Sequence, residues 1–233
     1  WIEKPRPLLW TVGTLGIEMM IPLFYNAAKL NMGFRGLAAC VRWDPGRTPG
    51  LVIIGRSGVG KSTCAQLMLG RVKQYAPKGN AKATVCDFKN EYAYLERRIR
   101  EGVTEADPFH VLLFSEWGMF CSVSDRRTRE EAIALAAGLI MSVRAQKMTV
   151  WLDLQRPDSQ FMGTARDSLA PIALGNLSPE GKRMAFPDFV NEIEPVGRGE
   201  GYFSDGTTIQ KIIVPTITRW DVLHEDVREL VEQ

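Results

Sequence analysis

The stretch Leu51-Val-Ile-Ile-Gly-Arg-Ser-Gly-Val-Gly-Lys-Ser-Thr63, followed by CAQLMLGRVKQY to Tyr75, carries the most information in this chain. Residues 55–63, GRSGVGKST, satisfy G-x-x-x-x-G-K-[ST], with Gly55, Gly60, Lys61 and Ser62 at the fixed positions. Glycines let the backbone curl so that successive N–H groups converge on a phosphate, and a lysine at this spacing reaches the β- and γ-phosphates. The hydroxyl of Ser62 is placed to ligand Mg²⁺. The context agrees with the motif. Leu51–Ile54 is a short apolar run suited to a buried parallel strand, and the segment after Lys61 keeps a helical pattern, so the loop opens a helix whose N-terminus attracts anions. The candidate nucleotide-binding residues are Gly55, Arg56, Ser57, Gly58, Val59, Gly60, Lys61, Ser62 and Thr63. ATP and Mg²⁺ are the expected ligands.

Working outward, residues 1–48 read as a helical segment that ends in the turn-rich DPGRTPG of residues 44–50. Residues 49–233 form the second unit, in which strands and helices alternate. Strands are expected at 51–54, 83–88, 111–114, 149–154 and 171–174, with a PKGN turn at 77–80 and a charged helix over 90–100. A further helix spans 128–146, with Ile133, Ala136, Ala137, Ile140 and Met141 at helical spacing, and the last covers 222–231. Such alternation predicts an α/β fold, a P-loop NTPase core with a mostly parallel sheet flanked by helices. GYFSDGTTIQKIIV, residues 201–214, reads as a C-terminal β-hairpin turning at Asp205-Gly206.

The 233 residues carry a net charge of +2, too small to indicate a polyanion partner by itself. Any such surface must be local: Arg97, Arg98 and Arg100, or Arg126, Arg127 and Arg129, each of which also suits a solvated helix face. Cys40, Cys64, Cys86 and Cys121 show no C-x-x-C spacing, which points to reduced intracellular thiols rather than a disulfide frame or a zinc site. Leu8–Tyr25 is apolar but contains Glu18 and Pro22, so helices packed on the core are expected there, with a membrane-proximal segment as the alternative. No signal-peptide pattern is present.

Hydrolysis needs a carboxylate to hold Mg²⁺ through water and another to orient the attacking water. HVLLFSEW, residues 110–117, supplies Glu116 at a strand end, but Ser115 stands where an aspartate is expected. LQRPD, residues 154–158, places Gln155 where a side chain can bond the γ-phosphate or the lytic water and signal hydrolysis to neighbouring loops.

The P-loop, CDFKNEYAYL (86–95), SVRAQKMTVWLDLQRPDSQFMG (142–163) and ARDSLAPIALGNLSPEGKRMAF (165–186) follow one another in an order that closely resembles the FtsK/SpoIIIE-type motor domain, including related ATPases of conjugative elements and type VII secretion. The resemblance covers residues 42–215 and is most specific at QRPD. It implies a RecA-like fold of the ASCE class, a hexameric homo-oligomeric ring and translocation of double-stranded DNA held by its phosphate backbone without sequence preference. It also implies a cytoplasmic domain, free or within a membrane-anchored complex at the cytoplasmic face. Lys61, Glu116 and Gln155 take the catalytic roles, and Asp87 and Lys89 match the family's D-x-K. Two departures stand out. Ser115 can bond a Mg²⁺-bound water but brings no charge, so weaker Mg²⁺ affinity and slower turnover are expected, unless Asp153 on the adjacent strand substitutes. Pro171 stands where the family often has an arginine just before the fifth strand, leaving Arg144, Arg156 and Arg166 as candidates to serve a neighbouring subunit's nucleotide. A protein-secretion ATPase and a hydrolysis-poor scaffold are the alternatives.

Overall fold

The structure, a computed structural model, describes residues 20–76, 81–86, 109–142 and 148–232. The helix expected over 90–100, Asp87 and Lys89, Arg97, Arg98 and Arg100, Arg144, the turn at 77–80 and residues 8–19 of the apolar stretch lie outside them.

Nine strands form one sheet: β1 (Ile21–Asn26), β2 (Cys40–Trp43), β3 (Gly50–Ile54), β4 (Ala81–Cys86), β5 (Phe109–Phe114), β6 (Met148–Leu154), β7 (Leu169–Leu174), β8 (Glu200–Ser204) and β9 (Ile209–Ile213). Their order is β2-β1-β9-β8-β7-β3-β6-β5-β4. β7, β3, β6, β5 and β4 run parallel, and β8, β9, β1 and β2 extend this block antiparallel. Helices α1 (Ala27–Asn31), α2 (Lys61–Tyr75), α3 (Trp117–Val123), α4 (Arg126–Ser142), α5 (Ser159–Met162), α6 (Pro179–Ala185) and α7 (Trp220–Glu232) complete the described fold.

Side-chain alternation on the strands sorts the core into two layers. Val52, Ile54, Leu112, Phe114, Leu152 and Leu154 point to the face packed by Ala136, Leu139 and Ile140 of α4 and by Trp117 and Phe120 of α3. Leu51, Ile53, Val111, Leu113 and Trp151 point to the other face, covered by Cys64, Ala65, Met68 and Val72 of α2. Burying a strand residue of this size on either side contributes about 1.5–3 kcal/mol. The apolar run at 51–54 is therefore uninterrupted because both of its faces are covered. Leu223 and Leu230 of α7 are fully buried, and Lys73 of α2 pairs with Glu229 of α7 at 3.0 Å.

The N-terminal segment corrects one expectation. Within residues 20–48 the structure holds two strands, one five-residue helix and a 3-10 turn at Gly36–Ala39, rather than a helical segment. Ile21–Tyr25, the described end of the apolar stretch, is β-strand, not helix. Its backbone is satisfied by sheet pairing, β1 pairing β2 on one side and β9 on the other. Its Ile21, Leu23 and Phe24 side chains join the core layer under α2, and Asn26 Nδ2 donates to Gln210 Oε1 at 2.8 Å. The sheet curls enough for Trp43 on its β2 edge to meet Trp151 of β6 edge-on, with ring centroids 5.7 Å apart. The 44–49 turn is pinned across this curl. Trp43 Nε1 donates to the Thr48 carbonyl at 2.8 Å, and the Thr149 hydroxyl donates to the Pro49 carbonyl.

Candidate active site

The C-terminal ends of parallel strands are where open α/β sheets bind ligands, and the chemistry-bearing residues collect there. The P-loop leaves β3, Ser115 and Glu116 follow β5, and Gln155 follows β6. β6 lies between β3 and β5, with Ile53 opposite Asp153 on one side and Phe114 opposite Leu152 on the other.

Gly60 sits at φ 100°, a left-handed conformation that turns the chain directly into α2. The Cys64 N–H then closes the first helical bond on the Gly60 carbonyl at 2.8 Å. The loop thus presents the free N–H groups of a 15-residue helix, a site with anion affinity. Lys61 is only 8% exposed, whereas Ser62 is exposed and Thr63 half-buried. Arg56, Ser57 and Gly58 are exposed, Val59 and Gly60 half-buried, and Gly55 is buried at the end of the strand.

Lys61 Nζ lies 3.7 Å from Asp153 Oδ1. Asp153 is 4% exposed, the one carboxylate among the buried residues described. Burial pushes its carboxyl above the ordinary range; Lys61 pulls it back, and the charge of Glu116 pushes it up again. The backbone N–H of Glu116 also supports the carboxylate. A buried carboxylate under opposed influences at a strand end is a candidate functional residue, and structural ion pairs produce the same pattern.

Glu116 is half-buried at φ 54°, the sole non-glycine residue at positive φ among the described residues. The conformation turns β5 into α3, whose Met119 and Phe120 N–H groups bond the Glu116 carbonyl at 2.9 and 3.0 Å. Left-handed backbone in a bulky residue costs about 1–3 kcal/mol and clusters at active sites. Ser115 is half-buried, and its N–H reaches the Cys86 carbonyl at 3.3 Å.

Gln155 and Arg156 are both exposed beside the P-loop strand. Arg166 Nη2 donates to the Met184 carbonyl of its own chain at 2.7 Å, so its guanidinium already has an intrachain task. Pro171 lies within β7 rather than before it; β8 pairs that strand only from Ile172 onward, where a missing N–H does no harm. Of the basic cluster at the start of α4, Arg126 pairs with Glu130 at 2.7 Å and Arg127 with Glu131 at 2.8 Å, a self-neutralised helix face.

Sequence reasoning did not single out Trp117. It is buried, stacks against Phe114 and Phe120, and its indole N–H donates to the Phe161 carbonyl at 2.6 Å, tying the helix behind Glu116 to the segment that follows QRPD. Its place directly after the SE pair was the available signal.

The Mg²⁺ that a P-loop fold implies fits these donors. Such sites use one or two protein oxygens, with waters and phosphates completing the shell; the exposed Ser62 hydroxyl, the Ser115 hydroxyl and the Asp153 carboxylate are hard oxygen donors that would suit it. Among the described residues no helix is long and apolar enough to cross a membrane.

No family model matches the chain, and no curated protein does. Solved structures match over nearly its whole length. The pCW3 conjugation coupling protein TcpA, in its monomer form with ATPγS, superposes with TM-score 0.65 at 14% identity, over 97% of this chain and 74% of that one. The cytoplasmic domain of the Thermomonospora curvata type VII secretion ATPase EccC gives 0.66 at 15%, over 97% and 32%. ATPases 2 and 3 of EssC from Geobacillus thermodenitrificans give 0.63 at 12%, over 98% and 51%. The chain thus spans about three-quarters of the first protein and from a third to a half of the other two. Its fold is shared with a conjugation coupling protein and with the type VII secretion ATPases EccC and EssC, the group to which the QRPD and neighbouring blocks pointed.

Proposed function

We propose that this chain is the ATP-hydrolysing motor domain of a translocase that moves double-stranded DNA, working as a homo-oligomeric ring in the cytoplasm or at the cytoplasmic face of a membrane-anchored complex. The observation that carries the proposal is the convergence of Lys61, Glu116 and Gln155 at the ends of three neighbouring parallel strands. The backbone N–H groups of residues 58–62 and the Lys61 ammonium bind the β- and γ-phosphates. Glu116 orients the attacking water and takes its proton, and Gln155 bonds the γ-phosphoryl group, so that its loss resets the loop after β6. When bound, Mg²⁺ neutralises charge on the phosphates, held by the Ser62 hydroxyl and through water by Ser115. Of the described candidates, Arg166 is engaged within its own chain and Arg156 is exposed next to Gln155, so Arg156 is assigned to reach a neighbouring subunit's nucleotide. DNA is favoured as cargo by the QRPD-centred resemblance and by the extent of the match to a conjugation coupling protein.

The equal likeness to EccC supports a second reading, an ATPase that moves protein. ATP turnover measured with and without duplex DNA separates the readings. A several-fold rise with DNA that fades with salt is expected, because contacts to the phosphate backbone release counterions. Stimulation by peptide alone makes the motor a secretion ATPase, and ATP binding without turnover makes the domain a scaffold.

A further inference from the structure

The carboxylate missing after β5 is present one strand nearer the P-loop. The parallel register of β5 and β6 runs from His110 opposite Met148 to Phe114 opposite Leu152. Extrapolated one residue past the end of β5, this register sets Ser115 level with Asp153. Alternation puts both on the face covered by α2, because Leu113 and Trp151, two residues earlier, lie in that layer. Neighbouring strands are about 4.8 Å apart, so a carboxylate on β6 can reach water in the same space as one on β5. Asp153 also sits where an interior strand would otherwise carry an apolar residue; Trp151, Leu152 and Leu154 around it are all buried. Lys61 Nζ stands 3.7 Å from its Oδ1, and the charge and backbone N–H of Glu116 act on it, so it sits beside the residues assigned to phosphate binding and water activation.

We propose that Asp153 is the metal-side carboxylate of this nucleotide site, acting from β6 in place of the aspartate that Ser115 replaces at the end of β5. The Ser115 hydroxyl and the Asp153 carboxylate then share one hydration shell, Asp153 bringing the charge. The expected weakness of Mg²⁺ binding at Ser115 is compensated within the fold. A role as mere counterion to Lys61 makes a different prediction, because a counterion has no stake in the metal.

This assignment rests on the ATP-binding reading above, and its test separates the two. Affinity for a fluorescent ATPγS analogue is measured in EDTA and in excess Mg²⁺ for wild type, Asp153→Asn, Ser115→Asp and the double variant. In wild type, Mg²⁺ is expected to strengthen binding by about tenfold or more. Whatever its affinity in EDTA, which the contact with Lys61 also sets, Asp153→Asn should reduce the Mg²⁺ gain to about twofold or less, and adding Ser115→Asp to it should restore the gain. Ser115→Asp alone should add no more than about threefold, since a second carboxylate beside the first is repelled by it. A Mg²⁺ gain unchanged in Asp153→Asn overturns the proposal. So does an increase of about tenfold in Ser115→Asp alone, a variant at a half-buried position that decides the matter even if Asp153→Asn does not fold. Wild-type protein that binds ATPγS under neither condition overturns the nucleotide reading, and this inference with it.

Discussion

The Trp117 indole N–H donates to the Phe161 carbonyl at 2.6 Å, and this bond fastens the helix behind Glu116 to the turn beyond Gln155. The ends of β5 and β6, which carry the proposed water-activating carboxylate and the proposed γ-phosphate sensor, are thereby linked outside the sheet. Trp117→Phe keeps much of the apolar surface and deletes the bond, leaving a buried carbonyl short of its donor. A loss of about 1–2 kcal/mol in urea unfolding is expected. Trp117→Ala should cost about 3–5 kcal/mol, because it also opens a cavity between Phe114 and Phe120. A loss below about 0.3 kcal/mol for the Phe variant would show that the bond contributes nothing.

Gly118 brings α3 against β6. A Cβ placed there would stand 3.2 Å from Leu154 Cδ2 and 4.0 Å from the Gln155 backbone nitrogen. Alanine is accommodated if Leu154 gives by a few tenths of an ångström; a branched side chain pushes on the strand end that carries Gln155, the proposed sensor. Gly118→Val should therefore lower ATP turnover about tenfold or more while changing nucleotide affinity by less than about threefold. Parallel losses in both would place the effect on folding rather than on the sensor.

Glu116 combines a left-handed backbone with its proposed role as the base, which makes its two simplest substitutions diverge. Glu116→Gln keeps the left-handed backbone and removes the base, so turnover should fall about 10²–10⁴-fold with ATP binding retained. Glu116→Gly loses turnover as well but relieves the conformation at φ 54°, and should raise stability by up to about 1 kcal/mol after the greater freedom of the unfolded glycine is counted. Thermal unfolding of the two variants side by side checks this. Equal midpoints would mean that the backbone at Glu116 stores no strain.

The central fold was legible because its signals are local. The P-loop spacing, the apolar run at 51–54 and the turn at Asp205-Gly206 each lie within one short segment, and β3, α2 and the β8–β9 hairpin formed where expected. Residues 21–26 were misjudged because IPLFYN has no periodicity that separates a strand from a buried helix. What makes it a strand is pairing with β9, almost two hundred residues away. Asp153 was visible as an acidic residue beside QRPD, but its contact with Lys61 depends on which strand lies next to β3 and in what register. No spacing along one segment encodes that.

Cys64 gives the pH dependence a definite sign. It is fully buried on the inner face of α2 with its Sγ 3.8 Å from Met68 Sδ, and burial, aided by the charge of Asp153, pushes its thiol from 9.0 up to about 12. Between those values the unfolded chain loses the proton and the folded one keeps it. The thiol's contribution to stability is therefore complete below pH 9.0 and is lost as pH rises toward about 12. Unfolding free energy should fall through this window with a slope from Cys64 of up to about 1.4 kcal/mol per pH unit. Tyr25 and Tyr75, both raised by burial, add to the decline at the upper end. Cys64→Ala should lower stability at pH 7, where a small cavity is its main effect, and flatten the slope between pH 9 and 11 by about 1 kcal/mol per unit. Denaturant titrations at a series of pH values measure both numbers. An identical slope in the variant would mean that the buried thiol ionises in the folded state as readily as in the unfolded chain, and that α2 opens at its start more easily than its packing indicates.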